Sequence, residues 1–177
     1  RCFLRFGKNI SRKELAKELG LGEGTVRTMQ KILKSKSLLD STKKGHFLSK
    51  KGSETLNGIF ESVSMPKSIA MQNLYPEFRK IAVRIKNIPN LKGMYKLRDI
   101  AVKNGAEGAI ILKFENGLYA PDSDFKQDYK EIEQCFDFGN NDVLVVAFSN
   151  SIRDAENGAF AIAVELNDAL KKFISTI

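Results

Sequence analysis

Thr25, Arg27, Thr28 and Lys31 stand within seven residues of one another in a chain of 177, and all four can hydrogen-bond outward. A guanidinium can make a paired contact with guanine, a threonine hydroxyl can meet several base edges, and an ammonium suits phosphate. Gly24, just before them, lets backbone come close to a phosphate. Arg12 upstream and Lys43, Lys44 and His46 downstream extend this set of candidate DNA contacts. The competing reading is an ordinary helical hairpin with a solvated basic face. Other chemistries find little support. One histidine and two distant cysteines, Cys2 and Cys135, do not make a zinc site. No P-loop, dinucleotide glycine fingerprint, nucleophile elbow or zinc-protease helix occurs, so we expect no cofactor and no enzymatic activity.

The elements that must position these side chains are readable around them. Ser11 is placed to cap a helix, and Glu14 completes a capping box. Leu15, Ala16 and Leu19 give that helix one apolar face, and Gly20 ends it. Val26, Met29, Ile32 and Leu33 recur at helical spacing and stripe a second helix. The small Ala16, the turn Gly20 and the plug Val26 together predict a helix-turn-helix, whose second helix would enter the major groove. Leu38 to Ser41 and His46 to Leu48 then read as two short strands around Thr42-Lys43-Lys44-Gly45. A hairpin there is the wing of a winged helix, with its lysines at the DNA backbone. Ser49 caps a further helix, striped by Leu56, Ile59, Phe60 and Val63. Residues 1–64 are therefore expected to be a winged-helix domain, and residues 65–76, broken by Pro66, a linker.

Charge separates the two halves. Residues 1–68 hold 15 basic and 6 acidic side chains, whereas residues 69–177 hold 14 and 15. The whole positive excess thus sits with the helix-turn-helix, which points to a polyanionic partner for that half alone. No apolar run is long enough to span a membrane, and reduced thiols suit a cytoplasmic chain.

Residues 77–177 read as strand 81–85, helix 94–101, strand 109–114, strand 118–120, helix 125–136, strand 143–148 and one long last helix. The stripe of the 125–136 helix is Phe125, Tyr129, Ile132 and Phe136. This βαββαβα order predicts an α+β chain: a winged helix followed by a two-layer α/β domain of ferredoxin-like arrangement with an extra C-terminal helix. Arg98 and Asp99 follow one strand. Asn150, Ser151 and Arg153 open the last helix, where backbone amides favour an anion. These five are the candidates for a small-ligand site, against the plainer reading of solvated charges and an N-cap. Asp122 and Asp124 could chelate a cation, but suit a turn better. The small, apolar run GAFAIA at 158–163 suits close helix packing.

The stretches SRKELAKELGLGEGTVRTMQKIL, RDIAVKNGAEGAIILKFENGLYAP and SIRDAENGAFAIAVEL resemble archaeal two-domain transcriptional regulators. In that family an N-terminal winged helix precedes a C-terminal α/β domain of unknown role. The resemblance implies a transcriptional regulator; with the residues above, the favoured reading is one that binds double-stranded DNA, with residues 77–177 serving as a homodimerisation domain, a sensor of a small-molecule effector, or both. The alternatives are an enzyme fused to a winged helix, or a winged helix that docks RNA or protein.

Overall fold

Ser11 opens the first α-helix, α1 (Arg12–Leu19), through the reciprocal capping box. Its Oγ accepts from the Glu14 amide at 3.2 Å, and its own amide donates to Glu14 Oε2 at 3.0 Å. Gly20 closes the helix at φ +64°, a conformation open to glycine without a side-chain clash. The computed structural model describes residues 2–71, 73–124 and 127–176. They form two compact units: Arg1–Glu61 together with Lys172–Ile177, and Ser62–Lys171. The chain is α+β, with seven α-helices and two antiparallel sheets among the described residues.

In the first unit a short 3-10 helix, Phe3–Gly7, leads to α1 and then α2 (Glu23–Ser35). Strands β1 (Leu39–Thr42) and β2 (Gly45–Leu48) pair antiparallel with Thr42 opposite Gly45, so Lys43 and Lys44 form the tip. Ile10 bridges to His46 as an abbreviated third strand. Ser49 Oγ accepts from the Gly52 amide at 2.9 Å in the first turn of α3 (Lys50–Ser62). Phe6, Ile10, Leu15, Leu19, Val26, Leu33, Leu38 and Leu56 make the core. Leu15 and Val26 are wholly buried, each worth about 1.5–3 kcal/mol of transfer free energy. Phe173, from the chain's C-terminal end, packs on this cluster with its ring 5.4 Å from that of Phe3.

The second unit is built on a five-stranded sheet of order β3-β4-β7-β5-β6. Its strands are β3 (Lys67–Ile69), β4 (Arg79–Ile85), β5 (Gly108–Phe114), β6 (Leu118–Tyr119) and β7 (Val143–Ser149). β3 falls inside the stretch read as a linker. β4 and β5 both run antiparallel to β7, so they are parallel to each other, and α4 (Met94–Lys103) connects them. α4 and α6 (Ile152–Leu166) cover one face of the sheet. On the other face Ala82, Leu112, Leu144 and Val146 gather under Met71, Tyr129 and Ile132. β7 is therefore buried at every position.

Three sequence expectations need correction. A ferredoxin-like order would place the short hairpin strand between the two parallel ones. Here β7 takes that place and β6 lies at the edge. The reason is burial: only a central strand hides both faces, which suits the apolar β7 and not a two-residue strand. The helix expected over 125–136 is one turn, α5 (Lys130–Glu133), entered through Asp128 Oδ1, which accepts from the Lys130 amide at 2.9 Å. Tyr129 and Ile132 are buried there, while Phe125 lies outside the described residues. The single last helix is two, because Asn167 is extended (φ −124°, ψ 108°). Its Oδ1 accepts from the Leu170 amide at 2.9 Å and caps α7 (Asp168–Thr176).

Candidate nucleic-acid interface

Val26, Gln30 and Leu33 are buried, which turns the opposite side of α2 to solvent. Thr25, Arg27, Thr28 and Lys31 are all exposed there. At about 100° per residue, Arg27, Lys31 and Lys34 fall within a sector of about 60° and form one cationic stripe. Thr25 and Thr28 lie further round, and the Thr28 hydroxyl donates to Gly24 O of its own helix at 3.2 Å. A Cβ on Gly24 would meet nothing within 4 Å, so the backbone is open to a close approach at the start of the helix. Lys43 and Lys44 are exposed at the hairpin tip.

Two of the expected contacts are more embedded than the sequence suggested. Arg12 Nε donates to Oε1 of the buried Gln30 at 3.3 Å, which ties α1 to α2. His46, expected at the wing surface, is half-buried in β2 opposite Ser41, and its Nδ1 is buried without a partner. The tip, Lys43–Lys44, lies beyond the next pair, Thr42 and Gly45, and His46 is bridged to Ile10. Burial first, then the charges of Lys34 and Arg12, push its pKa below the ordinary histidine value. Lys34 was missed in the sequence, although it stands seven residues after Arg27. Its Nζ donates to Ser41 Oγ at 2.8 Å, joining α2 to β1. Gln30 was missed too, since a buried glutamine carries no periodic signal.

The five small-ligand candidates divide between two places. Arg98 on α4 pairs with Asp122 at 2.7 Å and donates to Ala109 O at 3.3 Å, tying α4 to β5 and to the turn after β6. Asp99 is exposed. At the other place Ser151 Oγ accepts from the Asp154 amide at 3.4 Å as the N-cap of α6. Arg153 contacts the Asp154 carboxylate at 3.3 Å, and Asn150 is exposed. Asp122 is thus an ion-pair partner, and the described residues hold no group of three or more metal-ligating side chains. A cavity of about 160 Å³ lies beside Met71, Tyr129 and Ile132, and a shallower depression of about 580 Å³ lies beside Phe114, Glu115 and Asn140, away from all five candidates.

Residues 76–166 match a family described as a domain of unknown function, DUF4443, and the chain belongs to that family. Residues 3–54 match the PH0730-like N-terminal domain. Among solved structures, the hypothetical protein PH0730 from the archaeon Pyrococcus horikoshii OT3 is similar over 99% of this chain and 95% of its own, with 27% identity and a TM-score of 0.80. No curated protein sequence matches. Among the described residues, no helix is long and apolar enough to cross a membrane.

Proposed function

We propose that this protein is a DNA-binding transcriptional regulator whose first unit is a winged helix. In this reading α2 lies in the major groove and the β1–β2 hairpin is the wing. The observation that carries it is the stripe Arg27, Lys31 and Lys34 on the solvent face of α2, continued by Lys43 and Lys44 on the adjoining hairpin. The charge division supports it: the first unit has 15 basic and 6 acidic residues, and the second 14 and 15.

The second unit is proposed to hold two copies together and so pair their recognition helices, to sense a small effector, or both. Tyr95 and Val102 support dimerisation. They lie seven residues apart on one face of α4 and are 63% and 52% exposed. With Arg98 and Ser151 committed to internal contacts, an effector site has the weaker support.

Arg27 is assigned to base reading, because it projects from the second turn of α2 and can make a bidentate contact with guanine. Selection from randomised duplexes would give a preferred site. Arg27→Ala should then weaken binding to that site by about 1–3 kcal/mol and barely affect a scrambled duplex. Full site preference in the Arg27→Ala protein would refute this placement of α2.

A further inference from the structure

Three basic side chains from three elements converge beside the hairpin. Lys34, in the last turn of α2, donates to Ser41 Oγ at 2.8 Å. Ser41 lies directly opposite His46 across the β1–β2 pair. His46 exchanges both backbone hydrogen bonds with Ile10, each 2.9 Å, and Ile10 is two residues before Arg12. Arg12 in turn is fastened to buried Gln30 at 3.3 Å. Lys34 is thus brought beside His46 through Ser41, while Arg12 follows the Ile10 bridge on α1, and the charges of both act on the imidazole.

Among the described residues, no carboxylate acts on His46. The groups acting on His46 are burial, Lys34 and Arg12, and all three oppose a charge on it. From β1, Asp40 pairs with Phe47 and so points to the other face of the hairpin from Ser41 and His46. From α1, Glu14 is bound to Ser11 in the capping box. From α2, the neighbour is Gln30, whose amide nitrogen is buried without a partner. Clustered like charge works against a compact state, and an incoming anion would relieve it. Lys34 also continues the Arg27–Lys31 stripe, so the cluster lies between the proposed recognition surface and the hairpin.

We propose that Arg12, Lys34 and His46 seat one backbone phosphate of bound duplex DNA, with His46 neutral in the free protein and protonated in the complex. This rests on the DNA-binding reading above. A phosphodiester supplies a full negative charge and can accept hydrogen bonds from an imidazolium, a guanidinium and an ammonium alike. Its charge reverses the field at the imidazole, so binding is coupled to proton uptake in the pH range between the free and bound midpoints. By linkage, protonation must strengthen DNA binding by the same factor that DNA strengthens protonation.

The chain has a single histidine, so imidazole NMR reports one titration without ambiguity. The full chain should be titrated alone and saturated with a random-sequence duplex at fixed salt. The midpoint should rise by at least one pH unit on binding. Duplex affinity should rise by about tenfold between pH 7.5 and pH 5.5. His46→Gln should bind at pH 7.5 and lose that pH dependence. Lys34→Met, which keeps the apolar stem, should raise the midpoint of the free protein. An identical midpoint with and without duplex would overturn the phosphate seat and leave the DNA-binding reading standing. No duplex binding at any pH would overturn both. The comparison of free and bound wild-type protein decides the matter even if a variant fails to fold.

Discussion

Asp142 shows how a single side chain can hold several turns. Its Oδ1 accepts from the Asn87 amide at 3.0 Å, and its Oδ2 accepts from the Gly139 amide at 2.9 Å. Arg84 Nη1 lies 3.6 Å from Oδ2, and the aspartate is 4% exposed. Asn87 and Asn141 both have positive φ, so two unusual turns depend on this carboxylate. Asp142→Asn removes the charge and sets an amide NH2 against donors. The expected cost is about 3 kcal/mol, read by denaturant unfolding. The run Gly139-Asn140-Asn141-Asp142 is legible as a turn from composition. Its link to Asn87 is not, because nothing local to either segment encodes a partner 55 residues away. The same holds for Arg12 and Gln30: an arginine in the first turn of a helix reads as solvated until its partner on α2 is known. Arg27 and Lys31 were legible, because helical period alone turns them away from the side of α2 that carries Val26 and Leu33.

At the scale of elements, the packing of α6 on α4 depends on Gly158. A Cβ built there would lie 2.6 Å from Ala106 Cβ and 3.3 Å from Ala101 Cβ, and neither neighbour has a flexible end to swing aside. Replacing glycine by alanine inside a helix usually stabilises by about 1 kcal/mol. Overpacking a dense contact costs about 1–3 kcal/mol. With backbone-attached methyls on the other side the second effect dominates, so Gly158→Ala should lower the melting temperature; a higher one would show that the helices separate freely. The small-residue run around Gly158 already signalled close packing in the sequence. Existence and type of most elements were equally plain: the capping box, the Gly20 stop and the Lys43–Lys44 tip follow from local chemistry. Strand order was not, because pairing β7 with both β4 and β5 is decided by which strand buries most on both faces. The Asn167 break was hidden for another reason. The apolar stripe runs on through Leu166 and Leu170, and a capping asparagine looks like any polar residue between them.

At the scale of the molecule, two units carry different electrostatic characters on one chain, one strongly basic and one close to neutral. The first combines its excess charge with an exposed cationic helix face and hairpin. The second is close to neutral and has its sheet covered on both sides. The six residues at the C-terminal end, Lys172–Ile177, belong with the first unit, so a fragment of residues 1–64 lacks the Phe173 ring that lies against Phe3. Binding is therefore best measured on the full chain. The exposed cations of α2 and the β1–β2 hairpin are proposed to bind duplex DNA through its phosphates. The most direct measurement is a fluorescence-anisotropy titration of a random-sequence duplex at several salt concentrations, with the full chain and with its Lys43→Ala/Lys44→Ala variant. Each phosphate contact contributes about −0.9 to the slope of log K against log salt. The full chain should give a steep slope, and the variant one flatter by about two units. Duplex binding that ignores salt, or a variant with the parent's slope, would contradict the account.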